Sequence, residues 1–403
     1  MRVLLINSVC GIRSTGRICT DLAQQFEKEG HEVKIAYGRV DEVPEQFKKY
    51  AVRIGNDMDL KLHALRTRVL DEHGFGSKRA TEKFLKWADE YDPDLVWLHN
   101  IHGYYINVEM LFQWIKSRSQ MEVKWTLHDC WAFTGHCSYF SAVGCERWKC
   151  GCRDCTQKGT YPESKLKDNC EKNYVRKKKA FTGVKKLTLI TPSKWLADLT
   201  RESFLKEYPV EVVYNTVDTN VFKPTKSDFR KKYNLENKKV VLGVASIWEE
   251  RKGIYDLIQL SQMLSSEYVI ILVGISKDTL NEYRLKCSPF SHSNLQNMEH
   301  LIYRYEKGVV IPQNVEVLYK EIVGNNYESF SGEKSSILCI PRTNDTRTLA
   351  EIYTAADIFV NPTYEDNYPT VNLEAIACGT KVITYNTGGC NETIINDDRL
   401  EKQ

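Results

Sequence analysis

The stretch that decides the fold reads Asn361-Pro-Thr-Tyr-Glu-Asp-Asn-Tyr-Pro-Thr-Val-Asn-Leu-Glu-Ala-Ile-Ala-Cys-Gly-Thr-Lys-Val-Ile-Thr-Tyr-Asn-Thr-Gly-Gly389. It predicts a strand over 358–361, an acidic loop, a helix over 370–378, a stop at Gly379 and a second strand over 381–385. A helix that starts straight after a strand presents free backbone N–H groups, which suit a phosphate. Asp366 on the loop and Glu374 one turn into the helix supply carboxylates that accept hydrogen bonds from sugar and ribose hydroxyls. Glu374 stands four residues after Thr370, one too many for a capping box.

The same alternation runs through the chain. Arg2-Val-Leu-Leu-Ile-Asn-Ser is an apolar strand, followed by the loop Gly11–Gly16 and a helix that repeats Ile18, Leu22 and Phe26 on one face. Ser14 or Thr15 is the expected cap of that helix. Further strands are expected at 95–98, 123–127, 187–191, 210–214, 240–245, 268–273 and 337–340. Strands alternating with helices imply parallel, doubly wound sheets. A chain of 403 residues exceeds one typical core. Its net charge of +3 gives no footprint for nucleic acid. The run 269–275 is too short to cross a bilayer. Thirteen cysteines, in a chain that opens directly on a strand, read as thiols of a reducing cytoplasm or as metal ligands.

The 361–389 segment resembles the donor-binding segment of the retaining GT-B glycosyltransferases of family 4 (glycosyl transferases group 1). Asp366 stands where that family usually has Glu, with Glu365 beside it, and Lys381 stands where it usually has Pro. Tyr214–Pro224 resembles the family's interdomain linker. The resemblance implies an α/β GT-B fold, two doubly wound Rossmann-like domains facing a cleft. Residues 1–218 would bind the acceptor and carry a Cys-rich loop, 136–163. Residues 219–403 would bind the donor and carry an insertion, 276–336. The chain runs only a short way past Glu392, where GT-B enzymes usually carry more helix.

The resemblance also implies roles. Arg251 and Lys252, between a strand and a helix, would clamp the diphosphate of a nucleoside-diphosphate sugar, UDP- or GDP-linked first of all. Asp366 or Glu365 would hold the sugar, Glu374 the ribose, and Asn367, Tyr368, Pro369 and Thr370 would flank both. Arg342 would lie beside the base. Gly16 would let the first domain approach the phosphates. His128, at a strand end and oriented by Asp129, would face acceptor and sugar, with His99 and His102 lining the same cleft. Transfer would be of hexosyltransferase type with retention and without a catalytic metal. The acceptor would be a saccharide or lipid-linked saccharide of bacterial cell-surface polysaccharide synthesis. A catalytically degenerate nucleotide-sugar-binding protein and another GT-B enzyme, such as a nucleotide-sugar epimerase, are the alternative readings.

Two further clusters stand out. Cys137, Cys145, Cys152 and Cys155 have spacings compatible with a structural zinc site. The basic run 165–186, with Arg176-Lys177-Lys178-Lys179 at its centre, is either a solvated helix face or a patch for peripheral contact with an anionic membrane at its cytoplasmic face.

Overall fold

Successive residues of a strand point to opposite faces of its sheet, so a strand roofed by helices on both sides must be apolar throughout. The apolar runs of this chain meet that condition. The computed structural model describes residues 1–39, 42–286, 315–323, 333–343 and 345–395. It forms two compact units, Met1–Tyr214 and Asn215–Gln403. The change of unit thus comes at 214/215, ahead of the expected 218/219.

In the first unit the order is β1 (Arg2–Ile6), α1 (Arg13–Lys28), β2 (Glu32–Tyr37), β3 (Ala51–Arg53), α2 (Asp57–Leu70), α3 (Lys78–Tyr91), β4 (Leu95–Leu98), α4 (Val108–Ser117), β5 (Glu122–Thr126), α5 (Cys170–Phe181), β6 (Leu187–Thr191), α6 (Lys194–Glu202) and β7 (Val210–Val212). The second unit follows with α7 (Phe229–Lys232), β8 (Lys239–Val244), α8 (Ile254–Met263), β9 (Tyr268–Val273), α9 (Lys277–Lys286), α10 (Val315–Val323), β10 (Ser336–Ile340), α11 (Thr346–Ala355), β11 (Ile358–Asn361), α12 (Thr370–Ala377), β12 (Lys381–Thr384) and α13 (Glu392–Ile395). The expected insertion 276–336 lies largely outside the described residues, which there include α9 and α10.

The first sheet runs β3-β2-β1-β4-β5-β6-β7 and the second β10-β9-β8-β11-β12. Each pairing is parallel. Leu4 and Ile6 pack into one core with Val96 and Leu111, while Val3 and Leu5 pack into another with Cys19 and Ala23. Likewise Val240 and Leu242 face Tyr353 and Ala375, and Val241 and Ile270 face Leu257 and Leu318. Strand β3 escaped sequence reading because three residues carry no periodicity. The first helix also differs from expectation: it starts at Arg13, its cap residue Ile12 makes no side-chain bond, and Thr15 Oγ1 instead accepts from Asn7 Nδ2 at 3.3 Å.

In both sheets the strand order reverses beside the unit's first strand, between β1 and β4 and between β8 and β11. Open parallel sheets bind ligands in the crevice outside the carboxyl ends at this reversal. The segments leaving β8 and β11 approach closely at Gly253. Its φ is +72°, and an added Cβ would lie 2.2 Å from the Pro362 carbonyl oxygen. Gly253→Ala therefore combines left-handed strain with a backbone clash. The expected cost is at least about 2 kcal/mol, read as a lowered thermal midpoint of the second unit.

Candidate active site

The loop after β8 is stitched to the loop after β11. Tyr364 N donates to Arg251 O at 2.9 Å, and the Arg251 guanidinium donates to Glu365 O at 2.6 Å. These bonds bring Lys252 Nζ to 2.5 Å from Asp366 Oδ2, with both side chains largely covered. Burial alone would push the Asp366 carboxyl up. The charges of Lys252 and Arg251, the Lys252 bond and the Asn367 N–H outweigh it and hold the group below its ordinary range. The Asp366 carbonyl has its own constraint: a Cβ on Gly388 would lie 2.0 Å from it, and Gly389 N donates to it at 3.3 Å. The paired glycines of the quoted stretch thus let the chain after β12 pass over the acidic loop.

Helix α12 begins after Pro369, which makes no side-chain cap. Glu374 is buried one turn in, its Oε2 accepting from Tyr353 Oη at 3.0 Å. Tyr368 O accepts from Asn215 Nδ2 at 3.2 Å, which fixes the loop ahead of the helix. Glu365 and Asn367 are buried, and Arg251 also bonds Glu249 at 2.7 Å. The structure therefore brings Arg251, Lys252, Glu365 and Asp366 together. Arg342 lies exposed on the segment after β10.

One residue that ties the site's segments together gave no signal in the sequence. Asp256 on α8 is buried and accepts from Tyr364 Oη at 2.7 Å and Tyr385 Oη at 2.5 Å. It ties the loop after β11 to the segment after β12. A buried acid is a departure from helix patterning that only coordinates explain. Desolvation raises its pKa from 3.8 to about 6, against the two tyrosine bonds.

In the first unit a pocket opens at the ends of β4 and β5, lined by His99, His102, His128, Asp129 and Trp131. Its partnerships go beyond the sequence expectation. Asp129 Oδ2 meets His102 Nε2 at 2.9 Å, and its Oδ1 accepts from Trp131 N at 2.9 Å. His128 Nε2 meets His99 Nδ1 at 3.2 Å. Burial lowers the pKa of His99 and takes that of His128 to about 4, despite Asp129 nearby, so both rings are neutral at pH 7. His99 Nε2 and Trp131 Nε1 are buried with no hydrogen-bond partner among the described residues. Tyr161 Oη closes the pocket's edge at 3.1 Å from His102 Nδ1. Gly16 sits in the first turn of α1, where Val9 fills the space a side chain would take.

The cysteine loop gathers its thiols around a cavity, and the basic run departs from expectation. Cys137, Cys145, Cys152 and Cys155 line one cavity together with Cys170 and His136. Cys152 Sγ accepts from Gly135 N at 3.1 Å, and hydrogen bonds from Cys137 and Cys170 hold the Cys155 thiol far below its usual range. Among the described residues no group of three His, Cys, Asp or Glu side chains meets the geometry of a formed metal site. Nor is 176–179 a uniform basic face. Arg176 pairs with Glu109 at 2.6 Å, and Lys177 is buried, donating to Trp131 O at 2.7 Å and Thr134 O at 3.1 Å. Burial draws the Lys177 pKa down to about 7.

The family model for Glycosyltransferase Family 4 matches residues 15–221, more than half of the chain. The chain belongs to glycosyltransferase family 4. A second model, Glycosyl transferases group 1, matches 333–400, which includes Asp366 and Glu374. Among curated relatives, the protein named "Putative colanic acid biosynthesis glycosyl transferase WcaC" of Escherichia coli K12 is 30% identical over 112 residues, 26% of this chain and 27% of its own length. YtcC of Bacillus subtilis 168, named a glycosyltransferase of the same provisional kind, is 22% identical over 49% of this chain and 44% of its own. The matched stretches thus span less than half of either relative. Among solved structures, sucrose-phosphate synthase from Thermosynechococcus elongatus superposes with a TM-score of 0.59 at 16% identity, over 98% of this chain and 84% of that one. Anabaena Alr3699/HepE in complex with UDP and glucose gives 0.53 at 15% identity, over 97% and 82%. These likenesses and the two parallel sheets make the fold GT-B, two Rossmann-like domains.

Because the folded-state pKa of Asp256 lies above its unfolded value, the folded chain holds this proton more tightly. Its contribution to stability is therefore greatest below about pH 4 and is lost as pH rises to about 6, a span of roughly 3 kcal/mol. Denaturant titrations of wild type and Asp256→Asn should show wild type gaining on the variant as pH falls from 7 to 4. A pH-independent difference would refute the assignment.

Proposed function

We propose that the chain is a glycosyltransferase that moves a sugar from a nucleoside-diphosphate sugar to a saccharide or lipid-linked saccharide acceptor. The carrying observation is the Lys252–Asp366 pair at the strand-order reversal of the second unit, beside the uncapped start of α12. A diphosphate needs a cation and backbone N–H groups, and Lys252 with the first turn of α12 supplies both. Once phosphate takes the ammonium, Asp366 becomes available to sugar hydroxyls. Tyr353 fixes Glu374 for the ribose. The solved neighbour HepE holds UDP and glucose, which favours a UDP-sugar, with GDP-sugars next.

In the proposed reaction the acceptor oxygen bonds to the anomeric carbon as the bond from that carbon to the diphosphate oxygen breaks. The acceptor proton passes to the departing phosphate, and configuration is retained. Lys252 stabilises the charge that grows on the leaving group, aided by Arg251 through its hold on the loop. The neutral His99–His128 pair and the Asp129–His102 pair suit hydroxyls, and are assigned to the acceptor side. The WcaC likeness points to polysaccharide synthesis, though over a minority of that protein. No described helix is long and apolar enough to cross a membrane. A peripheral protein at the cytoplasmic face accords with the lipid-linked reading.

One observation favours a second reading, nucleotide-sugar binding without turnover: the Arg251 guanidinium is already engaged by Glu249 and the Glu365 carbonyl. Thermal shifts with UDP-, GDP-, ADP- and TDP-sugars, followed by donor hydrolysis assays, separate the two. One donor class, UDP- or GDP-linked, should raise the melting midpoint, and Glu374→Gln should abolish the shift. Lys252→Gln and Glu374→Gln should each lower turnover at least about 100-fold without unfolding the chain. Donor binding with no turnover in wild type selects the second reading, and wild-type rates in both variants reject the site.

A further inference from the structure

Helix α2 carries apolar side chains on its exposed side as well as on its buried one. A surface helix normally buries its apolar stripe. Here the buried positions are His63 and Thr67, while Met58, Leu62 and Leu65 are 63%, 57% and 58% exposed. Leu60, Ala64 and Leu70 are half-buried on the side of His63 and Thr67, and hydrogen bonds complete the docking. His63 Nε2 accepts from Gly74 N at 3.2 Å and Gly76 N at 3.1 Å, and its Nδ1 meets Ser77 Oγ at 2.9 Å. Met58, Leu62, Leu65 and half-buried Val69 fall within about 60° of one another at about 100° per residue. Lys61 and Arg68 flank this stripe on one side and Arg66 on the other.

A second segment extends the patch. Lys165 N donates to Arg68 O at 2.7 Å, which lays Lys165-Leu166-Lys167 against the end of the helix, with Leu166 71% exposed. The acidic neighbours are mostly engaged. Asp57 pairs with Arg53, Asp59 accepts from Asn56 N in the capping box, Glu72 pairs with Arg66, and Glu163 lies 3.8 Å from Lys165. Lys61, Arg68 and Lys167 are left to give the patch a positive rim.

We infer that α2 and the 165–167 segment form a docking surface for an anionic lipid bilayer. An apolar stripe rimmed by Lys and Arg lies in the plane of a bilayer, its leucines among the acyl chains and its cations at the headgroups. An apolar partner protein would need no basic rim, and a nucleic acid would have no use for four exposed apolar side chains. The segment that carries Leu166 also carries Tyr161, whose Oη meets His102 in the pocket at the ends of β4 and β5. The lipid surface therefore adjoins the place assigned to the acceptor, and it is this link alone that rests on the transferase reading.

The test is co-sedimentation of the whole protein with vesicles of phosphatidylglycerol and phosphatidylcholine, and with phosphatidylcholine alone. Neither vesicle contains donor or acceptor, so failure of the transferase reading leaves the result intact. Binding to the anionic vesicles should exceed binding to the neutral ones at least about tenfold and weaken with salt. Leu62→Ser with Leu65→Ser, and separately Lys61→Glu with Arg68→Glu, should each lower it at least about tenfold at an unchanged melting midpoint. Absence of wild-type binding, or equal binding by both double variants, overturns the inference. So does a solution dimer that the leucine variant dissolves, because the stripe would then belong to a second copy.

Discussion

Lys252 and Asp366 are both largely shielded from water, and neither would be tolerated there alone. Removing one member of a fully buried ion pair costs roughly 3–5 kcal/mol, because the other charge is stranded. Here the penalty is smaller, since each side chain retains some exposure. The pair sets conditions on everything near it. Gly253 has no side chain because Pro362 must pass within contact distance, and Gly388 has none because the Asp366 carbonyl does. Asp256 and its two tyrosines then hold the two crossing segments in register. The site proposed for a diphosphate leaving group is thus built by the same contacts that close the end of the sheet.

The fold was legible because it rests on local patterns that survive in one dimension. Buried strands read as apolar runs, and β4, β6, β9 and β11 have the expected limits. The 361–389 segment was legible for a related reason: strand, loop and helix are contiguous, so sequence spacing fixes geometry. Partnerships across the sheet were not legible. Asp129 follows His128 directly, yet consecutive residues leaving a strand diverge, and the carboxylate meets His102 from the neighbouring strand end. The basic run misled for the converse reason. At helical spacing four consecutive residues point in different directions, so Arg176 meets Glu109, Lys177 enters the core, and Lys178 and Lys179 remain outside.

The buried Lys177 shows how far such a partnership can reach. Its ammonium grips the carbonyls of Trp131 and Thr134 and lies 3.5 Å from the Trp131 ring. Trp131 N in turn binds Asp129, Asp129 binds His102, and His102 meets Tyr161. A loop without regular structure is thereby ordered by a chain of polar contacts rather than by a core of its own. Such networks are stiff only when every member is satisfied. The unpartnered nitrogens of His99 and Trp131 are the places where this one is open.

The two units place different kinds of group at the strand ends of the same topology. At the strand ends of the second, charge is concentrated: a lysine, an arginine and carboxylates within one pair of loops, as the proposed diphosphate site demands. At the strand ends of the first, burial keeps His99 and His128 neutral, and the Asp129 carboxylate is occupied. Neutral imidazoles can both donate to and accept from a hydroxyl, whereas imidazolium only donates. On the proposed reading, a site for an uncharged sugar hydroxyl gains from suppressing protonation. Desolvation in the first unit and ion pairing in the second thus differ on one topology: each parallel sheet supplies the positions, and local dielectric decides which kind of group its strand ends hold.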